Sequence, residues 1–182
     1  KFGAQVRKLM EKASYAKAEK LAAGGDQAKA GREFEAYAST SKDAELALAA
    51  RFKAATSFEK AGEVSSAAKN YQFVLLAPAK DARTKALQND ARNSLAKIYQ
   101  QTGQLDVAAK QFAAFAEANS KDQKAVNGFF NAAVIWDGLG NTTEADANYE
   151  LYRRYSKRSD RNETLSLEAE IWRRRGVDKR AV

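Results

Sequence analysis

Cysteine and histidine are both missing from these 182 residues. Their absence excludes disulfides, Cys or His metal centres, Ser-His and Cys-His dyads, and histidine acid–base chemistry. Lack of cysteine fits a bacterial periplasmic or envelope protein that avoids stray disulfides slightly better than a cytoplasmic one, and leaves the compartment open. Proline occurs once, at Pro78. With no Val/Ile-rich alternating run either, helix is favoured throughout. No apolar run, Phe73 to Ala79 included, approaches the roughly 20 residues that a membrane span takes. No signal peptide is visible, and the chain opens at Lys1 without a methionine, so this end reads as processed or cut.

What the chain does have is alanine, aromatics and positive charge. The net charge is +8. The last 32 residues, from Leu151 on, hold ten Lys/Arg against five Asp/Glu, so +5 of the +8 lies there. Arg173-Arg174-Arg175 with Lys179-Arg180 is the densest run, and Arg153, Arg154, Lys157 and Arg158 precede it. Such a tail suits nucleic acid, a phospholipid surface or an acidic partner. Solvation, and cations set against a helix C-terminal dipole, account for the same residues.

The strongest pattern is a repeat. A glycine followed five residues later by an alanine recurs at Gly25/Ala30, Gly62/Ala67, Gly103/Ala108 and Gly140/Ala145, at intervals of 37, 41 and 37 residues. Four residues before each glycine stands a large apolar residue (Leu21, Phe58, Tyr99, Trp136), and seven before it an alanine (Ala18, Ala55, Ala96, Ala133). Four after each alanine comes an aromatic: Phe34, Tyr71, Phe112, Tyr149. Three further on come Tyr37, Val74, Phe115 and Tyr152. Trp172, Gly176 and Ala181 begin the pattern a fifth time. Periods of this length mark stacked helix pairs.

The expected helices run from Gln5 to Ala23, Asp26 to Ala38, Ala44 to Ala61, Ser65 to Ala77, Lys85 to Thr102, Asp106 to Ala118, Gln123 to Leu139 and Thr143 to Tyr155, with a last one from Thr164 to Arg175. Glycine closes the first helix of each pair, Asp26 serves as a cap, Thr40-Ser41-Lys42-Asp43 offers two possible N-caps, and Pro78 stops a helix. Asn141 followed by Glu144 predicts a capping box. The four extra residues between Lys80 and Asp90 predict a longer loop or an extra helical turn. The reading is a single solenoid over 1–182, cut at both ends. Residues 1–10 end a preceding repeat, repeats follow at 11–39, 43–78, 82–119 and 122–156, and 160–182 form a partial fifth.

This pattern resembles the tetratricopeptide repeat family. There a small and a large apolar residue on the first helix pack against an alanine and an aromatic on the second. Ala55 and Phe58 against Ala67 and Tyr71, Ala96 and Tyr99 against Ala108 and Phe112, and Ala133 and Trp136 against Ala145 and Tyr149 take those roles, as do Ala18 and Leu21 against Ala30 and Phe34. The family's early aromatic is present only as Phe129, its closing proline only near Pro78, and the spacing exceeds the usual 34. The resemblance implies an all-α fold, a right-handed solenoid of antiparallel helix pairs. Helices approach closely where one presents alanine. Ala108→Leu should therefore overpack the third pair and cost roughly 1–3 kcal/mol, read as a lowered thermal midpoint.

The resemblance also implies that the first helices line a concave groove for a peptide or partner protein. By spacing, the inward positions are Phe52, Thr56 and Glu59, then Asn93, Lys97 and Gln100, then Asn127, Phe130, Asn131 and Val134, with Tyr15 in the first pair. Asparagine amides suit a bound backbone, and Phe52 and Phe130 serve either as side-chain pockets or as packing against the adjacent helix. Lys53 and Asn131 only loosely complete a carboxylate clamp with Asn93 and Lys97. No residue set carries catalysis: Glu168 and Glu170 point apart on a helix, and no glycine run has Walker-type spacing. The expectation is a non-catalytic scaffold without metal or cofactor. Binding of nucleic acid or an acidic surface through the basic end, or service as the regulatory part of a larger enzyme, are the alternatives.

Overall fold

In a computed structural model, which describes residues 2–79 and 81–157 with positions 166, 169 and 173, each helix pair is built on the same glycine turn. Gly25, Gly62, Gly103 and Gly140 have φ of 87°, 76°, 78° and 76°. That left-handed conformation is one in which a side chain would crowd the backbone. It lets the N–H after the glycine reach back to a carbonyl of the last helical turn. Asp26 donates to Leu21, Glu63 to Phe58, Gln104 to Tyr99 and Asn141 to Trp136, at 3.0, 2.9, 2.8 and 2.9 Å. The large apolar residue four before each glycine is thus also the residue whose carbonyl closes the turn.

Among the described residues there are eight helices and no strand: α1 (Phe2–Ala23), α2 (Gln27–Thr40), α3 (Ala44–Lys60), α4 (Val64–Leu76), α5 (Ala82–Gln101), α6 (Leu105–Ala118), α7 (Gln123–Gly138) and α8 (Thr142–Tyr155). The chain divides into two compact units, Lys1–Ile98 and Tyr99–Val182. In the first, α1 packs on α2, α2 on α3 and α3 on α4; in the second, α6 packs on α7 and α7 on α8. The repeat alanines Ala18, Ala30, Ala55, Ala67, Ala96, Ala108, Ala133 and Ala145 are all fully buried, and Phe34, Tyr71, Phe112 and Tyr149 are buried beside them.

The caps follow local chemistry. Asp43 accepts from the N–H groups of Glu45 and Leu46, Asp122 from that of Lys124, and Asp26 from that of Lys29. Ala77, ahead of Pro78, is extended at ψ 144°, as the residue before proline must be. The freed carbonyls of Val74, Leu75 and Ala77 accept from the Gln88 side chain at 3.3, 3.2 and 2.6 Å. That contact ties α5 to the end of α4.

One expectation needs revision, one open choice is decided, and one is met only in part. No break separates residues 1–10 from 11–39, because α1 runs unbroken from Phe2 to Ala23. The four extra residues form an additional turn, since α5 starts at Ala82 just after Asp81, which accepts from the Thr84 N–H at 2.7 Å. At Asn141 only half of the capping box forms. Its side chain accepts from the Glu144 N–H at 3.2 Å, but its own N–H is already given to Trp136. The Glu144 carboxylate makes no return bond. The partial fifth repeat, with Trp172, Gly176 and the arginine run, lies outside the described residues apart from isolated positions.

Two helical glycines were not singled out by the repeat. A Cβ on Gly31 would stand 2.8 Å from the buried Phe58 ring, where α2 meets α3. One on Gly128 would stand 2.6 Å from the Phe112 carbonyl oxygen and 3.1 Å from the Ala116 Cβ, where α7 meets α6. Both mark close approaches between successive pairs.

Candidate functional site

The candidate contact residues lie on α3, α5 and α7. In the first unit Phe52 is half-buried, its ring edge set against Tyr71 at 5.6 Å and 67°. Thr56, one turn on, donates its hydroxyl to the Lys53 carbonyl and lines a small cleft of about 340 Å³ with Glu19, Gln27, Lys53 and Lys60. On α5, Asn93 is half-buried and Lys97 exposed, one turn apart. In the second unit Asn127, Asn131 and Val134 form an exposed stripe along α7. Phe130 stands beside that stripe, half-buried, against Tyr149 and Tyr152 at 6.1 and 5.5 Å.

Phe52 and Phe130 therefore take part in packing and keep a partial face to solvent. Tyr15, which shares their position ten residues before a glycine, sits edge-on to Phe34 and Tyr37 at 5.4 and 5.1 Å. Each places an aromatic edge on the second helix of its own pair, a geometry that also holds the ring in one orientation. In the remaining pair the position is Asn93, which has no ring to offer.

Charged side chains stitch the first unit together. The Lys53 ammonium donates to Glu19 at 2.6 Å and lies 4.9 Å from the Tyr15 ring centre. Burial pulls its pKa down, but Glu19 and Tyr15 outweigh burial and leave it raised. So engaged, Lys53 is spoken for and does not supply the loose carboxylate clamp. Arg51 joins three helices: it donates to Glu35 at 3.0 Å, Asn70 Oδ1 at 3.1 Å and Ser39 at 2.9 Å, with its guanidinium 4.7 Å over the Phe73 ring. Sequence reasoning passed over this arginine, although its position, eleven before Gly62 and one turn from Ala55, was available in the register.

Tyr71 is fully buried and donates its hydroxyl to Glu59 at 2.6 Å. Burial, then that hydrogen bond, pushes its pKa well above the ordinary phenol value of 10.0. The folded state thus holds its proton more tightly than the unfolded chain does. The resulting stability is intact below pH 10 and is lost as pH climbs through the raised value; Lys53 acts in the same sense above 10.5. The thermal midpoint should fall as pH rises past 10 and fall less steeply in Tyr71→Phe. Equal slopes in the two proteins would contradict the linkage.

A second, larger cleft of about 520 Å³ lies in the second unit between α6 and α8, with Trp136 of α7 in its lining. Lys110, Glu117, Glu144 and Asn148 contribute its polar groups. Among the described residues no cluster of His, Cys, Asp or Glu could hold a metal ion, and no helix is long and apolar enough to cross a membrane. No family model matches the chain, and no curated protein matches it significantly.

Proposed function

We propose that the chain is a non-catalytic binding scaffold of the tetratricopeptide kind. In this reading it is a right-handed solenoid whose first helices present a groove to a peptide or partner protein. The contacts would be Phe52, Thr56, Asn93, Lys97, Asn127, Phe130, Asn131 and Val134. The observation that carries the reading is the α7 stripe, where Asn127, Asn131 and Val134 are exposed next to a Phe130 ring fixed by two tyrosines. A rigid aromatic beside carboxamides gives a bound strand or helix an apolar contact and donors and acceptors for its backbone.

Salt dependence tests this against the alternative of phosphate binding through the basic end. Groove binding should change less than about threefold between 50 and 200 mM salt, whereas several phosphate contacts would weaken it by orders of magnitude. A steep salt slope for the main partner would favour the basic end and count against the groove.

A further inference from the structure

The α6–α8 cleft has an internal counterpart in the first unit. Counting from the turn glycines, Asn70 and Asn148 are each eight residues after their glycine, and Arg51 and Phe129 each eleven before it. On the preceding pair, Glu35 corresponds to Ala113 and Ser39 to Glu117. In the first unit, Asn70 Oδ1, Glu35 and Ser39 all accept from the Arg51 guanidinium. In the second unit the arginine is replaced by the buried Phe129, stacked on Tyr155, so no guanidinium comes from this register position. Of the three acceptors, the asparagine is kept as Asn148 and Glu117 takes the place of Ser39, while Glu35 gives way to Ala113.

Asn148 is only 5 % exposed. Its Nδ2 donates to the Glu144 carbonyl at 2.8 Å, which fixes the amide's orientation. Its Oδ1 is buried and has no hydrogen-bond partner among the described residues. An acceptor left in that state is costly unless something donates to it. The exposed Glu117 and Glu144 carboxylates line the same cleft, Glu144 free of the return bond that a full capping box would have used. Lys110, whose ammonium lies 5.9 Å from the Trp136 ring centre and 3.7 Å from the Asp106 carboxylate, is the one cation in the lining among the described residues. The charged lining residues thus sum to −1 on a chain of net charge +8.

We propose that this cleft takes an arginine side chain from a peptide or protein partner. The guanidinium donates to Asn148 Oδ1 and Glu117 as Arg51 donates to Asn70 and Ser39, with Glu144 beside it. Lys110 donates to a carbonyl of the ligand's backbone, which selects an arginine within a peptide over the free amino acid. Arginine is preferred to lysine because its planar fork serves several acceptors at once. By helical spacing Trp136 lies on the opposite face of α7 from Asn127, so the site is separate from the proposed groove and does not depend on it.

The test is titration of the 182-residue chain with N-acetyl-Gly-Arg-Gly-amide, its lysine analogue and free L-arginine. The readout is the side-chain amide signal of Asn148 and the indole signal of Trp136 in ¹⁵N spectra. The arginine peptide should shift both signals and bind about fivefold or more tighter than either competitor. A Glu117→Ala/Glu144→Ala variant, altered only at exposed positions, should keep its melting temperature and bind about tenfold more weakly. Absent shifts, equal binding of the lysine peptide, tighter binding of free arginine, or undiminished binding by the variant would each overturn the proposal.

Discussion

Gly128→Ala is expected to destabilise the second unit by about 3 kcal/mol, at the upper end of what overpacking a close contact costs. In an exposed helix the same change would help by about 1 kcal/mol, because alanine is the better helix former. Here the added carbon would meet the Phe112 carbonyl oxygen at 2.6 Å and the Ala116 Cβ at 3.1 Å. The first of these is backbone, so no rotamer change relieves it and α6 must move off α7. That movement loosens the contacts of Val126 and Phe129 with Ala116 and Tyr152, which form one core cluster. Urea denaturation gives the magnitude, and hydrogen exchange should localise the loss to α6–α8. A variant as stable as the parent would mean that the two helices do not approach as closely as described. Gly31→Ala should cost less, since its neighbour is the Phe58 ring, a side chain that can yield.

Arg51→Ala is expected to cost the first unit about 3 kcal/mol, because removing one partner strands the others. Its side chain is 15 % exposed and that of Glu35 29 %, so solvent compensates part of the loss. The remaining groups are not easily rehydrated: Asn70 is 1 % exposed and would keep only its bonds to Ser66 and Glu35. Arg51→Lys should recover less than half, since one ammonium cannot serve Glu35, Asn70 and Ser39 together or lie flat over Phe73. A double-mutant cycle of Arg51→Ala with Asn70→Ala should return a coupling of about 1–2 kcal/mol. Additive effects would show that the distances carry no interaction energy.

Much of the fold could be read in the residues. The glycine turns announced themselves because one conformation serves them all and only glycine enters it freely. Asp26, Asp43, Asp122 and Pro78 act through neighbours within three residues, which a sequence displays directly. What the chain hid depends on partners distant in sequence. Gly31 and Gly128 look like weak helix positions until another helix is laid against them. Arg51 looks like a surface charge until Glu35 and Asn70 close around it. The capping box at Asn141 formed only in half because one N–H was claimed twice, and the glycine turn took it.

The candidate site was legible in part. Spacing put Asn127, Asn131 and Val134 on one face, and all three are exposed along α7. It could not decide whether Phe52 and Phe130 face a ligand or the core, because a half-buried ring does both. The α6–α8 cleft escaped notice altogether. Its defining feature is an acceptor without a donor, and that exists only in three dimensions.

Affinity capture from extract of the source cells tests the scaffold reading most directly. The chain would be run beside an Asn127→Asp/Asn131→Arg/Val134→Asp variant confirmed as folded by circular dichroism; these positions are exposed, so folding should survive. The account predicts a partner that is held by the parent chain and lost by the variant. A partner retained equally by both would contradict it and place the interaction off the α7 stripe.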